Sequence, residues 1–255
     1  MQLKTKPKVT LVGAGPGDPE LITLKAVKAI QKADVILYDA LVNTDLLDYA
    51  PNAIKLFVGK RVGYQKYTQE EINELIVQHA FNYGHVVRLK GGDPFIFGRG
   101  SEEINYIDNF GISVSVVTGI SSASAVPASI GVPLTHRGVS ESFWVITGTT
   151  SKRKLSKDVH LAAQSTATVV ILMGVSKLNE IVTVFERERG RFEPIALIQN
   201  GTTKHEKVAV GTINTIEEVA RAKQIAAPAI IIIGEVVTQS AKLKRFYEEV
   251  LIELN

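Results

Sequence analysis

Gly91-Gly92-Asp93-Pro94-Phe95-Ile96-Phe97-Gly98-Arg99-Gly100 follows closely on Val86-Val87-Arg88-Leu89, an apolar β-branched run that reads as a buried strand. The stretch holds four glycines, a proline and two opposite charges. Glycine lets the backbone adopt positive φ, or approach a ligand with no Cβ in the way. In α/β sheets, ligands bind on the loops that follow strands. A turn that is merely structural needs one or two such residues, so the decapeptide is read as a ligand loop.

Outward from it, further strands read at Val9–Val12, Val35–Tyr38 and Val114–Val117, with helical spacing over residues 20–32, 69–82 and 101–109. Asp18 with Pro19 marks one helix start, and Thr68-Gln69-Glu70-Glu71 fits a capping box. This half predicts a parallel sheet with crossover helices. After about residue 135 the pattern changes. Strands read at Phe143–Thr147, Thr168–Leu172, Ile195–Ile198 and Ile230–Ile233, and Lys207–Gly211 follows Ile198 as in a hairpin, which predicts a mixed sheet. The expected fold is two α/β subdomains, 1–135 and 136–255, with a cofactor cleft between them.

The 255 residues carry a net charge of +3, too small for the strong basic patch of a nucleic-acid binder. Lys152-Arg153-Lys154 with Lys157 reads as a solvated loop face, or one that attracts an acidic substrate. No apolar stretch approaches the ~20 residues of a membrane span, and Met1–Lys8 has no signal-peptide apolar core, so the expected compartment is the cytoplasm. The absence of cysteine excludes disulfides, thiolate metal sites and a cysteine nucleophile. His79, His85, His160 and His205 lack metal-ligand spacing and read as structural or surface residues; no metal is expected. Trp144, inside a strand pattern, reads as core.

Gly13-Ala14-Gly15-Pro16-Gly17-Asp18-Pro19-Glu20 also follows a strand. Pro16 and Pro19 interrupt the smooth helix entry of a dinucleotide-binding turn, and no Gly-Lys-Ser/Thr follows as in a phosphate-gripping loop. Taken alone this loop is as well explained as a tight turn. With Gly91–Gly100 and Thr118-Gly119-Ile120-Ser121-Ser122-Ala123 it forms a set of strand-end loops able to surround one molecule. None has the basic residues that several phosphates require, so a compact ligand held by backbone groups suits them.

Gly13–Ala26 resembles the opening signature of the tetrapyrrole methylases. Tyr38-Asp39-Ala40-Leu41-Val42, Gly59-Lys60-Arg61, the decapeptide with Glu102-Glu103, and Gly131-Val132-Pro133-Leu134-Thr135-His136-Arg137 extend the likeness over about residues 8–237. They are similar to the branch that methylates uroporphyrinogen III at C2 and C7, through precorrin-1 to precorrin-2, for sirohaem and cobalamin. The resemblance implies S-adenosylmethionine (SAM) folded in the cleft, S-adenosylhomocysteine (SAH) as product, and a homodimer. It assigns the methyl donor to Pro16, Gly91, Gly92, Asp93, Ile96, Ser121, Ser122, Met173, Gly201 and Ala229.

The chemistry needs alignment, exclusion of water and removal of a proton from the methylated macrocycle; the electron-rich pyrrole carbon is itself the nucleophile. Arginine suits the eight carboxylates of this acceptor. Arg99 and Arg137, with Lys60 and Arg61 less distinct from a solvated loop, are the candidate clamps, and Glu102, one turn beyond Arg99, orients its guanidinium. Asp39, at a strand end, is a candidate base whose alternative is a cap; His136 is a second candidate whose alternative is bracing a turn. Met173 has core filling as its alternative.

The chain departs from the family pattern at Gln65 and Thr149, where relatives carry histidine, and at Thr118, where proline is common. It has no room for the dehydrogenase–chelatase module fused to some members, so oxidation and iron insertion are expected of another protein. The alternatives are a later corrin-ring or diphthine-forming methylase, against which Pro-Leu-Thr-His-Arg and the decapeptide argue, and a binding module without catalysis, against which Asp39, Arg99 and Glu102 argue.

Overall fold

The computed structural model describes residues 6–59 and 67–243. Lys60, Arg61 and Gln65 lie outside the described residues. The chain divides into two compact units, Met1–Ser121 and Ser122–Asn255. The division falls earlier than the change of pattern near residue 135, because the helix Ser122–Ser129 already packs its Val126 into the core of the second unit.

In the first unit, strands β1 (Lys8–Gly13), β2 (Val35–Tyr38), β3 (Ile54–Phe57), β4 (His85–Lys90) and β5 (Ser113–Val117) form a sheet of order β3-β2-β4-β1-β5. Every pairing in it is parallel. Helices α1 (Leu24–Ile30), α2 (Gln69–Tyr83) and α3 (Gly100–Asp108) cover it. The period of two along each strand divides the core. Val9, Leu11, Val35, Leu37 and Val86 pack with Ile72, Ile76 and Ile107 of α2 and α3, while Val12, Ile36, Val87 and Leu89 pack with Ala26 and Ile30 of α1. Burial on both faces explains the unbroken apolar runs of the sequence.

The local start signals act as the sequence implies, with one difference. Thr68 and Glu71 form a complete capping box on α2. Asp18 and Pro19, however, cap only a short 3-10 turn, Pro19–Leu21; the backbone is extended at Ile22 and Thr23, and the Thr23 hydroxyl caps α1 by accepting from the Ala26 N–H at 3.2 Å. The single helix read over residues 20–32 is therefore two pieces.

The second unit contains α4 (Ser122–Ser129), β6 (Phe143–Thr147), α5 (Asp158–Gln164), β7 (Thr168–Leu172), α6 (Leu178–Arg189), β8 (Pro194–Gln199), β9 (Lys207–Thr212), α7 (Ile216–Ala222) and β10 (Ala229–Ile233). Its sheet has the order β6-β7-β10-β8-β9 and is mixed: β6 and β7 are parallel, and the other pairs antiparallel, including the β8–β9 hairpin. Trp144 corrects the sequence reading. It stands on the edge strand β6 and is 38% exposed, with Phe143 beside it 45% exposed. Among the described residues no helix is long and apolar enough to cross a membrane.

Among the described residues Phe185 on α6 is the largest fully buried side chain, and it sits among Val169, Ile171, Ile195 and Ile231. Phe185→Ala is expected to destabilise the second unit by about 3–5 kcal/mol, read as faster hydrogen exchange in β7, β8 and β10 and an earlier denaturation midpoint. Unchanged exchange there would contradict the packing described.

Candidate functional site

Because the first sheet is all parallel, the loops after β1, β2, β4 and β5 leave from one end. β4 lies between β2 and β1, so the chain turns outward from β1 to β2 but crosses to the other side from β4 to β5. Such a switch of direction opens a crevice at the carboxyl ends of the strands. Gly15 and Gly92 close it as an antiparallel bridge: the Gly92 N–H donates to the Gly15 carbonyl at 2.7 Å and the Gly15 N–H to the Gly92 carbonyl at 3.3 Å. The loop after β5 joins them so closely that a Cβ on Gly13 would strike the Gly119 backbone, and one on Gly119 the Gly92 carbonyl.

Asp93 ties this arrangement together. It is buried, and its Oδ1 accepts from the Phe95 N–H at 2.8 Å while Oδ2 accepts from the Gly119 N–H at 3.0 Å. Both oxygens are thus engaged with backbone, and Asp93 holds two of the loops to each other. Gly91, Gly92, Asp93 and Ser121 come together here, with partly exposed Pro16 in the first loop. Gly92 has φ +66°, and nothing lies nearer to its missing Cβ than the Ser121 Cα at 3.9 Å, so one side of its backbone is open. Phe95, Ile96 and Phe97 are exposed.

The loop ends in strain. Phe97 (φ 54°) and Arg99 (φ 59°) are left-handed, and Arg99 stands at the N-cap of α3 without a side-chain cap. Its guanidinium grips Glu102 instead, Nε donating to Oε1 at 2.9 Å and Nη2 to Oε2 at 2.5 Å. This hydrogen bond raises the pKa of Arg99 and lowers that of Glu102. Both side chains are about half exposed, so the pair is worth at most ~1 kcal/mol and serves to aim the guanidinium rather than to hold the fold.

Beneath lies a charged cluster that sequence reasoning missed. Arg88 and Lys90 share the β4 face of Val86, and both are buried against α3. Glu103, fully buried, receives Arg88 Nε at 3.2 Å, Lys90 Nζ at 2.8 Å and Gln69 Nε2 of α2 at 3.1 Å, all on Oε1. Arg88 Nη1 donates to the carbonyls of Leu37 and Leu89, and Nη2 faces Asp39 Oδ2 at 3.7 Å. Asp39 follows β2 and accepts from the Leu41 N–H at 3.1 Å through Oδ1. Burial and the neighbouring Arg88 push the Lys90 pKa down, with Glu103 opposing. Removing Glu103, which would leave Arg88 and Lys90 without their shared buried partner, typically costs about 3–5 kcal/mol. The one signal available in sequence was a pair of cations at alternate positions of an apolar strand.

In the second unit, Met173, Gly201 and Ala229 lie at one end of the sheet: Leu172 of β7 pairs with Ile230, and Ala229 with Gln199 of β8. Met173 is exposed and left-handed (φ 55°), and its carbonyl accepts from the Thr149 hydroxyl at 2.8 Å. Thr149 thereby has a structural use. Gly201 lies against Val126 of α4, and a Cβ would run into that side chain. Ser122 opens α4. Arg137 is exposed and forms no ion pair among the described residues. His136 braces its turn: its N–H and carbonyl pair with Ser140, and its ring Nδ1 lies 3.0 Å from the Arg137 carbonyl. A cavity bordered by Ser124, Ala128, Val132, Leu134 and His136 contains, of the candidate site residues, His136 alone, and no carboxylate, lysine or arginine lines it.

Residues 8–217 match the model of the tetrapyrrole (corrin/porphyrin) methylases. The chain belongs to this family. It is 48% identical over 233 residues to the uroporphyrinogen-III C-methyltransferase of Methanocaldococcus jannaschii, covering 90% of this chain and 96% of that one. With the enzyme of the same name from Priestia megaterium it shares 47% identity, over 91% of this chain and 99% of that one. The uroporphyrin-III C-methyltransferase of Thermus thermophilus, solved in complex with S-adenosylhomocysteine, superposes with a TM-score of 0.78 at 39% identity, covering 91% of this chain and 99% of that one.

Gly119→Ala forces a methyl group into the Gly92 carbonyl, and Asp93→Asn offers a donor where Gly119 or Phe95 also donates. Each is expected to cost about 1–3 kcal/mol, measured by denaturation, with faster exchange of the Gly119 amide. A slow, wild-type Gly119 amide in Asp93→Asn would show that the carboxylate does not tie the loops.

Proposed function

We propose that the chain transfers methyl groups from SAM to two ring carbons of uroporphyrinogen III, giving precorrin-2 and SAH. The observation that carries this reading is likeness over nine-tenths of the chain to uroporphyrinogen-III C-methyltransferases, joined to strand-end loops able to receive a small donor through backbone. The residues present fit SAM. It has no phosphate, and Gly92 leaves open backbone beside the exposed Ile96. We assign the donor to Pro16, Gly91, Gly92, Ile96 and Ser121, with Asp93 acting by holding the loops, and in the second unit to Ser122, Met173, Gly201 and Ala229.

SAM supplies an electrophilic methyl on sulfur. In each round a C–C bond forms at a pyrrole carbon, the S–CH3 bond breaks, the thioether leaves, and the macrocycle, one positive charge richer, gives up a proton. The protein's part is to hold the reactants in line and accept that proton. Asp39 is the acceptor in this reading: its carboxylate is 27% exposed and keeps Oδ2 free of any hydrogen bond among the described residues. Arg99, aimed by Glu102, and Arg137 bind acceptor carboxylates. We take the working form to be a homodimer, as the family resemblance implies, and its compartment to be the cytoplasm.

Incubation with methyl-labelled SAM and uroporphyrinogen III is expected to give a doubly labelled product. No label in any tetrapyrrole would refute the reading, and SAH binding without turnover would make the chain a binding module. Arg99→Ala is expected to lower kcat/KM for uroporphyrinogen about ten- to hundredfold, the scale of one charge-assisted contact, with SAH affinity by calorimetry little changed. Equal loss of both would mean that Arg99 shapes the donor loop instead.

A further inference from the structure

Four charged groups meet behind the strand ends: Arg88 and Lys90 from β4, Glu103 from α3 and Asp39 from the end of β2. Their formal charges cancel, and all but Asp39 are buried. A buried guanidinium inside an apolar strand is costly unless its donors are used. Arg88 uses Nε on Glu103 and Nη1 on two backbone carbonyls, and these three contacts leave Nη2 directed at Asp39. The separation of 3.7 Å is an electrostatic contact, too long for a hydrogen bond. It attracts the carboxylate without occupying Oδ2, while the Leu41 N–H occupies Oδ1. A carboxylate held by one oxygen, drawn by a fixed cation and open at the other oxygen is arranged to receive a proton in one direction.

We propose that Arg88 is a positioning residue for methyl transfer: anchored by Glu103, it fixes the Asp39 carboxylate so that Oδ2 takes the proton released by the methylated macrocycle. The inference rests on the proposed function and deepens it. Glu103 belongs to α3, the helix that begins at Arg99, so one buried carboxylate connects the cation behind Asp39 with the helix presenting the acceptor clamp. Lys90 strengthens the anchor, since Glu103 keeps a cationic partner when Arg88 is replaced. For that reason Arg88→Met leaves no unpaired buried charge and is a usable test.

Arg88→Met, Arg88→Lys, Asp39→Asn and the double variant Asp39→Asn/Arg88→Met are compared with wild type for methylation of uroporphyrinogen III, with SAH titration by calorimetry reporting intact donor binding. Arg88→Met is expected to lower kcat about 10- to 100-fold, the scale of a misplaced reacting group, with KM for the acceptor and SAH affinity within about threefold. Arg88→Lys, which keeps the cation, recovers part of the loss. Adding Arg88→Met to Asp39→Asn costs little more, because a residue acting through Asp39 has nothing left to position. Losses that multiply in the double variant, wild-type kcat in Arg88→Met, or wild-type kcat in Asp39→Asn would each overturn the proposal while the proposed function stands. A wild-type protein that does not methylate uroporphyrinogen III would overturn both. If Arg88→Met does not bind SAH, Arg88→Lys decides: a kcat in Asp39→Asn/Arg88→Lys equal to that of Asp39→Asn alone supports the proposal, and a multiplied loss overturns it.

Discussion

The first unit depends on the contact of three backbones at Gly13, Gly92 and Gly119, where a side chain on Gly13 or Gly119 would have no room. Everything near the strand ends is placed by that closeness. The Gly15–Gly92 bridge extends hydrogen bonding beyond the ends of β1 and β4, and Asp93 joins the loop after β4 to the loop after β5. Loops are ordinarily the mobile part of a fold. Here glycine removes the side chains that would keep them apart, and a buried carboxylate supplies acceptors for amides that would otherwise lack partners. The result is a tied rim whose exposed side chains include Phe95, Ile96, Phe97 and Arg99.

That rim also clarifies which parts of the site were legible in the sequence. The decapeptide, the first glycine loop and the parallel sheet follow from local signals, since a cluster of glycines after an apolar β-branched run exceeds what a plain turn requires. The division of labour within the decapeptide did not follow. Asp93 reads as a ligand contact in one dimension, and in the fold each of its oxygens also accepts from a backbone amide, one of them at Gly119, distant in sequence. The Arg88–Glu103 pair was illegible for a related reason. Period two places Arg88 and Lys90 on the side of Val86, but only the packing of α3 on that side shows which carboxylate receives them.

The misread elements have physical causes too. β3 (Ile54–Phe57) is four residues long on the edge of its sheet, with Ile54 and Lys55 exposed, so it lacks the apolar run that marks a central strand. α4 contains Pro127 and has little amphipathic character, because it is partly enclosed in the second core. Trp144 and Phe143 lie on the edge strand β6, where one neighbour is missing and burial is incomplete. The break at Ile22–Thr23 was hidden because Asp18-Pro19 and Thr23 are both good start signals five residues apart, and the later one begins the α-helix.

Strain points independently to the same strand-end loops. Among the described residues, non-glycine positions with positive φ are Phe97, Arg99, Arg153, Met173, Asn200, Thr202 and Gln224. Arg153 lies in a tight turn and Gln224 just past α7, ordinary places for such a backbone. The other five fall in the loops after β4, β7 and β8. Each left-handed residue costs on the order of 1–3 kcal/mol and persists only where its surroundings enforce it. The enforcing contacts are visible: Gly100 N–H on the Pro94 carbonyl beside Arg99, the Thr149 hydroxyl on the Met173 carbonyl, and the Pro228 carbonyl receiving the Asn200 N–H. In both units the fold therefore spends stability at the ends of its strands, holding Arg99 and Met173 outward in conformations that neither would choose. Loops that only connect strands have no need of such strain.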